Sequence, residues 1–190
     1  MVELNLEGNK LGDYALMSLL EALESNTTLK KLNISKNFIS DIGAEKIGRM
    51  LDYNNTLEEL YVRWNLIKGA GGIAILNGLN HCQSLKVLDL SWNSLGMHQS
   101  GFAKAFAEYI RSNQSLVHLD MSNNYLGKED TKIIAEALAQ NHTLYGLHYQ
   151  GNAGYVDSKG FLQVTEDVET TVSGQHLLVP IKGRSIMIKY

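Results

Sequence analysis

One hydrophobic phrase, LxxLxLxxN, recurs six times along this chain of 190 residues. Successive copies of its final asparagine are 28, 28, 28, 31 and 28 residues apart. A fixed period of this length predicts one small structural unit stacked on copies of itself, and it argues against a single globular core. The asparagines are Asn9, Asn37, Asn65, Asn93, Asn124 and Asn152.

Each unit reads as a short strand followed by a helix. Apolar residues alternate with polar ones at the start of a unit, so Leu32 and Ile34 are expected to point inward and Asn33 outward. Downstream the apolar period changes to about 3.6 residues, which predicts amphipathic helices over 42–54 and 132–141. The pattern therefore predicts an α/β fold in which every strand is followed by a helix.

With this unit, the chain resembles the leucine-rich repeat family, and within it the ribonuclease-inhibitor-like class. The resemblance covers residues 2–152 and rests on the 28-residue period, on the full helix in each unit, and on a closing NxTL or NxSL phrase at Asn26, Asn54, Asn113 and Asn141. It implies a curved solenoid of about six repeats, with parallel strands on the concave side and helices on the convex side. Stacked asparagines are then expected to form a ladder that serves backbone groups of the turns.

Composition narrows the classes of partner. The net charge of −3 provides no basic footprint for nucleic acid. No apolar run approaches the roughly 18 residues that span a bilayer, and the first residues lack the pattern of a signal peptide. Cys82 is the one cysteine, so no internal disulfide can form. These features predict a cytoplasmic protein that binds neither nucleic acid nor membrane.

Residues that point outward from the strands are the candidates for binding, because they do no packing for the fold. Two such rows are expected to cross the concave face, since neighbouring strands lie roughly 4.8 Å apart. The middle row is Asn5, Asn33, Tyr61, Asp89, Asp120 and His148. The row two residues later is Glu7, Ser35, Arg63, Ser91, Ser122 and Gln150.

An aromatic and cationic patch is predicted near the middle of the arc. Trp64 and Trp92 are the two tryptophans of the chain and occupy the same register of consecutive repeats, beside Tyr61 and Arg63. Tyrosine, arginine and tryptophan are the residue types most enriched among interface hot spots. Alternatively, the two indoles pack flat against each other over the turns and seal the edge of the sheet. Both interpretations remain open, and one stacked pair can serve both.

An acidic pair, Asp89 and Asp120, is predicted on adjacent strands near His118 and His148. Like charges across strands are unfavourable unless a cation compensates, so this pair is a candidate acceptor for a lysine or arginine of a partner. Two carboxylates and two imidazoles could also hold a metal ion, whereas aspartate at this position often lies in water in this family. The predicted protein-binding set is Tyr61, Arg63, Trp64, Asp89, Trp92, Asp120 and His148. No cofactor is expected.

Catalysis has no supporting motif. No nucleophile has a plausible base, and Gly69, Gly71 and Gly72 lack the ending of a phosphate loop, so a tight turn explains them better. The three-residue lengthening of the fourth repeat makes 97–99 either a candidate contact loop beside Trp92 or a neutral variation in loop length. We therefore predict a noncatalytic scaffold or adaptor that binds protein partners through its concave face. The alternative is regulation of an enzyme, as in the Ran GTPase-activating proteins and ribonuclease inhibitors, which have similar repeats.

The two ends depart from the pattern. The chain starts inside a strand at Val2, so either upstream sequence is missing or another chain covers that edge. Residues 153–190 are expected to form a cap and an irregular tail, with Phe161 and Leu162 covering the last core layer. Residues 165–175 read as a polar linker, and 175–190 as a hairpin around Lys182 and Gly183.

Both departures indicate a subunit of a larger hetero-complex. The ending YVDSKGFL is similar to that of leucine-rich repeat proteins of the ciliary axoneme. This similarity implies a eukaryotic assembly of the cytoskeleton or cilium as the setting.

Overall fold

The computed structural model describes residues 1–165, 167–172 and 175–180. Short strands and helices alternate along the first 148 residues. The strands of this part are β1 (Glu3–Asn5), β2 (Lys31–Asn33), β3 (Glu59–Tyr61), β4 (Val87–Asp89), β5 (His118–Asp120) and β6 (Gly146–His148). The helices between them are α1 (Gly12–Glu24), α2 (Asp41–Tyr53), α3 (Gly69–Leu79), α4 (Phe102–Ser112) and α5 (Lys128–Leu138).

The six strands form one parallel sheet in the order of the sequence. The central leucine of each strand pairs in register with that of the next, as Leu32 does with Leu60 and Leu60 with Leu88. This sheet on one side and five helices on the other confirm the predicted α/β leucine-rich repeat solenoid. None of the helices in the described ranges is long and apolar enough to cross a membrane.

The core lies between the sheet and the helices. Leu32, Ile34 and Ile47 are fully buried, as their spacing predicts, while Asn33 stays on the open side of its strand. In the first helix the residue equivalent to Ile47, Leu19, is only partly buried. In the last helix the equivalent residue, Ile134, is fully buried.

The predicted asparagine ladder is present in the turns that lead from each strand to the following helix, here called the ascending turns. Asn65 Oδ1 accepts hydrogen bonds from the backbone N–H groups of Asn37 and Ile39, each at 3.0 Å. Its Nδ2 donates to the carbonyl oxygens of Ile34 (3.3 Å) and Val62 (2.8 Å). One amide side chain thus joins two repeats and satisfies backbone groups that would otherwise be buried without partners.

A second ladder lies at the opposite end of the strands. Asn54 Nδ2 donates to the carbonyl oxygens of Leu23 (2.7 Å) and Asn26 (3.1 Å) in the preceding repeat. Cys82 takes this position in the next repeat, and its thiol donates to the carbonyl oxygen of Asn54 at 3.6 Å. The thiol is fully buried, so it serves as a small core group rather than as a reactive one.

Two helices begin on a carboxylate supplied by the preceding helix. Asp13 in the first turn of α1 accepts the backbone N–H groups of Ser40 (2.9 Å) and Gly43 (3.1 Å) at the start of α2. Asp41 does the same for Lys68 (2.7 Å) and Gly71 (3.1 Å) at the start of α3. A negative group is favourable at a helix N-terminus because the first N–H groups have no partner within the helix.

The glycines of KGAGG have a different role from the tight turn expected. They lie inside the first turn of α3, and a Cβ atom on Gly71 would stand 2.5 Å from Asp41 Oδ1 and 2.8 Å from Ala44 Cβ. Close packing of α3 on α2 therefore requires glycine there. Sequence reasoning missed this because the neighbour across the helix interface is 30 residues away in the chain.

A small antiparallel hairpin follows the last repeat, built by β7 (Gly154–Val156) and β8 (Leu162–Val164). Strand β8 packs on α5, and Val156 and Leu162 are buried, so this hairpin covers the end of the core. The expectation for Leu162 is met, whereas that for Phe161 is wrong, because Phe161 precedes β8 and is 56% exposed. The division of the chain after residue 152 stays a prediction.

The linker expected over 165–175 is also wrong in part. Residues Asp167–Val172 form strand β9, which pairs antiparallel with β10 (Gln175–Pro180). The threonines and valines of this segment favour a strand despite its polar composition. The hairpin expected around Lys182 and Gly183 lies outside the described residues.

Candidate protein-binding face

The middle outward row of the sheet is present as predicted. Tyr61 pairs in register with Asp89, Asp89 with Asp120, and Asp120 with His148 across the parallel strands. Four of the seven predicted binding residues therefore form one line along the open face of the sheet.

Tyr61 is held by a charged cluster from its own strand and the previous one. Its hydroxyl donates to Glu59 Oε2 at 2.7 Å, and Lys31 Nζ lies 3.1 Å from the same oxygen and 5.4 Å from the centre of the Tyr61 ring. Burial, with Glu59 adding to it, raises the pKa of Tyr61 to about 12. The phenol is therefore neutral and fixed in orientation, with its ring presented beneath a lysine.

Arg63 reaches across two repeats to the first one. Its Nη2 lies 3.2 Å from Glu7 Oε1, and Lys36 Nζ lies 2.9 Å from the same oxygen. Asn33 Nδ2 donates to the other Glu7 oxygen at 3.1 Å. The bonds from Lys36 and Asn33, together with the charge of Arg63, hold the pKa of Glu7 below its usual value of 4.5.

The second outward row is only partly a surface. Ser35, Ser91 and Ser122 are buried, contrary to the expectation that this whole row is open. Ser35 lies in register between Glu7 and Arg63, whose ion pair spans it. At Ser35 the short hydroxymethyl group is covered by the long side chains on both flanks. The periodicity predicts the direction of a side chain correctly, but its exposure depends on the size of its neighbours.

Asp89 lies in a partly desolvated position. Its Oδ1 accepts the hydroxyl (2.6 Å) and the backbone N–H (2.9 Å) of Ser91. Burial raises the pKa of Asp89 above its usual 3.8 and Asp120 adds to this, while the bonds from Ser91 and the charge of Arg63 oppose it. An incoming cation that paired with Asp89 would offset the cost of desolvating this carboxylate and its repulsion by Asp120.

Two imidazoles meet at the far end of the row. The rings of His118 and His148 are 4.9 Å apart and tilted by 52°. Burial lowers the pKa of His118, and His148 adds to this, while Asp120 and Asp89 oppose it. Within the described residues no group of three or more histidine, cysteine, aspartate or glutamate side chains could hold a metal ion, so the metal alternative gains no support.

A depression of about 460 Å³ opens on the face beside Tyr61. Three of the predicted residues, Tyr61, Arg63 and Asp89, contribute to its wall. The remaining lining residues come from the first two strands: Glu3, Leu4, Asn5, Lys31 and Asn33. The wall carries both signs of charge next to a tyrosine ring, which suits a polar segment of a protein.

Trp64 and Trp92 are stacked, with ring centres 4.2 Å apart and planes inclined by only 11°. Each remains nearly half exposed, at 49% and 45%. The packing role considered for them is therefore observed, because the rings pack on each other over the ascending turns. They still present indole surface to solvent, and the binding role stays a prediction. Their backbones are left-handed, with φ of 53° and 54°.

The residue before the ladder asparagine is left-handed in all six repeats, which the sequence analysis missed. The positions are Gly8, Lys36, Trp64, Trp92, Asn123 and Gly151. Glycine at the first and last of them was the available signal, since glycine is the usual residue at positive φ. Side chains just after the asparagine were missed as well, and Phe38, Leu66 and Tyr125 are all exposed there.

Comparisons with known proteins agree with this architecture. Models described as leucine-rich repeats match residues 25–48, 53–76, 81–96 and 115–140. Among solved structures, leiomodin-1 actin-binding site 2 is similar, with a TM-score of 0.64 and 24% identity, covering 74% of this chain and 80% of that one. The tropomodulin C-terminal domain of Caenorhabditis elegans is similar with a TM-score of 0.62 and 22% identity, covering 74% and 84%. No curated protein sequence matches the chain significantly.

The fold is thus that of a leucine-rich repeat solenoid, and leucine-rich repeat models match four of its segments. At these identities the two solved structures establish the architecture alone.

Proposed function

We propose that this protein is a noncatalytic interaction scaffold that binds a protein partner across the concave face formed by Tyr61, Arg63, Asp89, Asp120 and His148, with Trp64 and Trp92 at its edge. The observation that carries the proposal is the depression beside Tyr61, whose charged walls are already fixed by internal bonds. Groups that are ordered before binding lose little conformational entropy when a partner arrives. The ribonuclease-inhibitor-like class fits the helices of 11 to 13 residues in each repeat.

The setting that we propose is a hetero-complex of the cytoskeleton, in the cytoplasm or the ciliary axoneme. Support comes from one solved structure of similar fold, leiomodin-1 actin-binding site 2, and from the similarity of residues 155–162 to axonemal repeat proteins. Actin is therefore the first partner to test, followed by the components of an axonemal preparation.

The test compares the wild-type chain with Tyr61→Ala and Arg63→Ala. Co-sedimentation with filamentous actin, and a mobility assay with monomeric actin, measure one candidate partner directly. Cross-linking in a cytoskeletal extract followed by mass spectrometry covers the others. We expect the partner identified to bind at least tenfold more weakly to both variants, a loss typical of interface hot spots.

The matched control is Tyr14→Ala, which removes an equally large aromatic ring that is 91% exposed on helix α1 of the opposite side. If Tyr61→Ala and Tyr14→Ala retain the partner equally well, the concave face is not the binding surface. The alternative role, regulation of an enzyme, predicts that the wild-type chain changes GTP hydrolysis by a small GTPase and that Arg63→Ala abolishes the change.

A further inference from the structure

Four large apolar side chains project from the ascending turns of the second, third and fourth repeats. They are Phe38, Trp64, Leu66 and Trp92, with exposed fractions of 56%, 49%, 54% and 45%. Two precede a ladder asparagine and two follow one, so they flank the ladder on the same edge of the solenoid. These four residues are called the turn ridge below. A cluster of this kind is unusual on a surface that meets only water.

Internal packing accounts for only part of the turn ridge, because Trp64 and Trp92 stack on each other and each still leaves nearly half of its surface exposed. Phe38, Trp64 and Trp92 have left-handed backbones, with φ of 58°, 53° and 54°, which bulky residues rarely adopt. Gly8 and Gly151 fill the position of Trp64 and Trp92 in the first and last repeats without that steric conflict. Phe38 follows the asparagine, where the first repeat carries Lys10, also at positive φ. The third and fourth repeats therefore place indole rings at a position where the first and last repeats carry glycine, and nearly half of each indole stays exposed to solvent.

Cationic side chains lie along the first half of this edge. Lys10, Lys36 and Lys68 are exposed on the ascending turns of the first three repeats. Nearby carboxylates are already engaged, Glu7 by Lys36 and Arg63, and Asp13 and Asp41 by helix N–H groups. Among the described residues no carboxylate lies within ion-pair distance of Lys10 or Lys68. Exposed Glu129 stands two repeats further on, so positive charge dominates the end near Lys10.

The spacing of the ridge favours a helical occupant. Repeats succeed one another at roughly 4.8 Å on the sheet side. Successive turns of an α-helix rise about 5.4 Å, which is close to this spacing, whereas same-face residues of a strand are about 6.8 Å apart. An amphipathic helix laid along the edge can therefore place one apolar side chain against each repeat.

We propose that the turn ridge binds an acidic amphipathic α-helix of a partner protein. Apolar residues spaced by three and four positions pack on Phe38, Trp64, Leu66 and Trp92, and glutamate or aspartate on one flank pairs with Lys10, Lys36 and Lys68. This inference rests on the proposed function in one respect, because it names the chemistry of a partner that also reaches the edge of the concave face.

The two tryptophans provide the readout, because both are in the ridge and the chain has no others. The probes are two 18-residue helical peptides with identical leucines at i, i+3, i+4 and i+7, flanked in one by glutamate and in the other by lysine. We expect the glutamate peptide to shift the tryptophan emission saturably, and the lysine peptide to bind at least tenfold more weakly. Raising the salt concentration should weaken the binding of the glutamate peptide, because salt screens its attraction to the lysines.

Phe38→Ser and Leu66→Ser test the site while keeping both fluorophores. Each should weaken the binding of the glutamate peptide about tenfold. Tyr14→Ser, on the opposite side, should leave that binding unchanged. Circular dichroism and the urea midpoint of each variant show that it is folded before binding is compared.

Equal binding of the two peptides, or binding unaffected by Phe38→Ser and Leu66→Ser, would overturn the inference. A response to anionic phospholipid vesicles without one to the glutamate peptide would overturn it as well, and would point to a membrane surface. The concave face is judged separately, because a partner lost with Tyr61→Ala but retained with Leu66→Ser supports the proposed function while the ridge proposal fails.

Discussion

Two adjacent positions of the ascending turn differ completely in what they contribute. The ladder position is asparagine in all six repeats and is buried in the central ones. Its amide forms hydrogen bonds with backbone groups of two repeats. The position before it has the same left-handed backbone in every repeat but carries glycine, lysine, tryptophan or asparagine. The fold therefore specifies the side chain at one position and only the backbone at the other. The second position is the one available for recognition.

The largest test of this comparison is Asn65→Leu. Leucine fills the space but leaves the N–H groups of Asn37 and Ile39 buried without an acceptor. We expect a loss of roughly 1 to 3 kcal/mol in the free energy of unfolding, measured by urea denaturation. A loss as small as that of an exposed surface substitution would show that the ladder is dispensable and that the contrast between the positions is false.

The next largest effect is expected for Asp13→Ala. This substitution tests whether the fold requires a particular side chain at the start of a helix, as it does at the ladder position. Removing the carboxylate leaves the N–H groups of Ser40 and Gly43 without their acceptor. By analogy with ordinary N-cap substitutions we expect a loss of about 1 kcal/mol. Asp13→Asn is the control, because its amide oxygen can still accept and should recover part of the loss. Equal losses in the two variants would contradict the capping role.

The neighbouring position is tested by comparing Trp64→Ala with Trp64→Gly. Both remove the stack on Trp92, worth about 0.5 to 1.5 kcal/mol beyond buried area, but glycine also removes the left-handed strain. We expect the glycine variant to be about 1 kcal/mol more stable than the alanine variant. If the Trp64→Ala variant is the more stable of the two, the turn does not favour glycine. The proposal that the turn ridge is a binding site then loses one of its supporting observations.

The smallest effect concerns the strand face and depends on pH. Burial holds the pKa of His118 below its usual 6.5, so the unfolded chain binds more protons than the folded one as the pH falls. The contribution of His118 to stability is therefore complete above pH 6.5 and is lost as the pH falls through its folded pKa. His118→Gln should lose less stability than the wild type between pH 7.5 and 5.5 in urea titrations. If stability depends on pH equally in the wild type and in His118→Gln, burial of His118 does not contribute to the stability of the fold.

Sequence reasoning located whatever repeats. The period placed each strand and helix, the inward leucines, the asparagine ladder and the outward row from Tyr61 to His148, because all of these follow from stacking one unit. Three features depended on contacts between residues far apart in the chain. Ser35 is covered by Glu7 and Arg63, Gly71 is required by Asp41 and Ala44, and Leu162 rather than Phe161 meets the core. The pairing of β9 with β10 is local, and the polar composition of the segment concealed it.

The candidate site was predicted in part for the same reason. Strand periodicity finds the residues that point to the open face, but it is silent about side chains in turns, where backbone dihedral angles decide direction. Trp64 and Trp92 were noticed through their residue type. Phe38 and Leu66 follow the asparagine, outside the strand pattern, and only the folded turn brings them to the same edge.

The carboxylates of Asp13 and Asp41 favour an order of helix formation from the N-terminus to the C-terminus. Each is supplied by an earlier helix and used by a later one, so α2 finds its acceptor already in place once α1 has formed, and α3 finds its own once α2 has formed. A ribosome releases the chain in this order, and N-terminal parts fold first during synthesis. Vectorial growth of the solenoid therefore presents each new helix with a completed template, whereas growth from the other end would begin two helices on unsatisfied N–H groups.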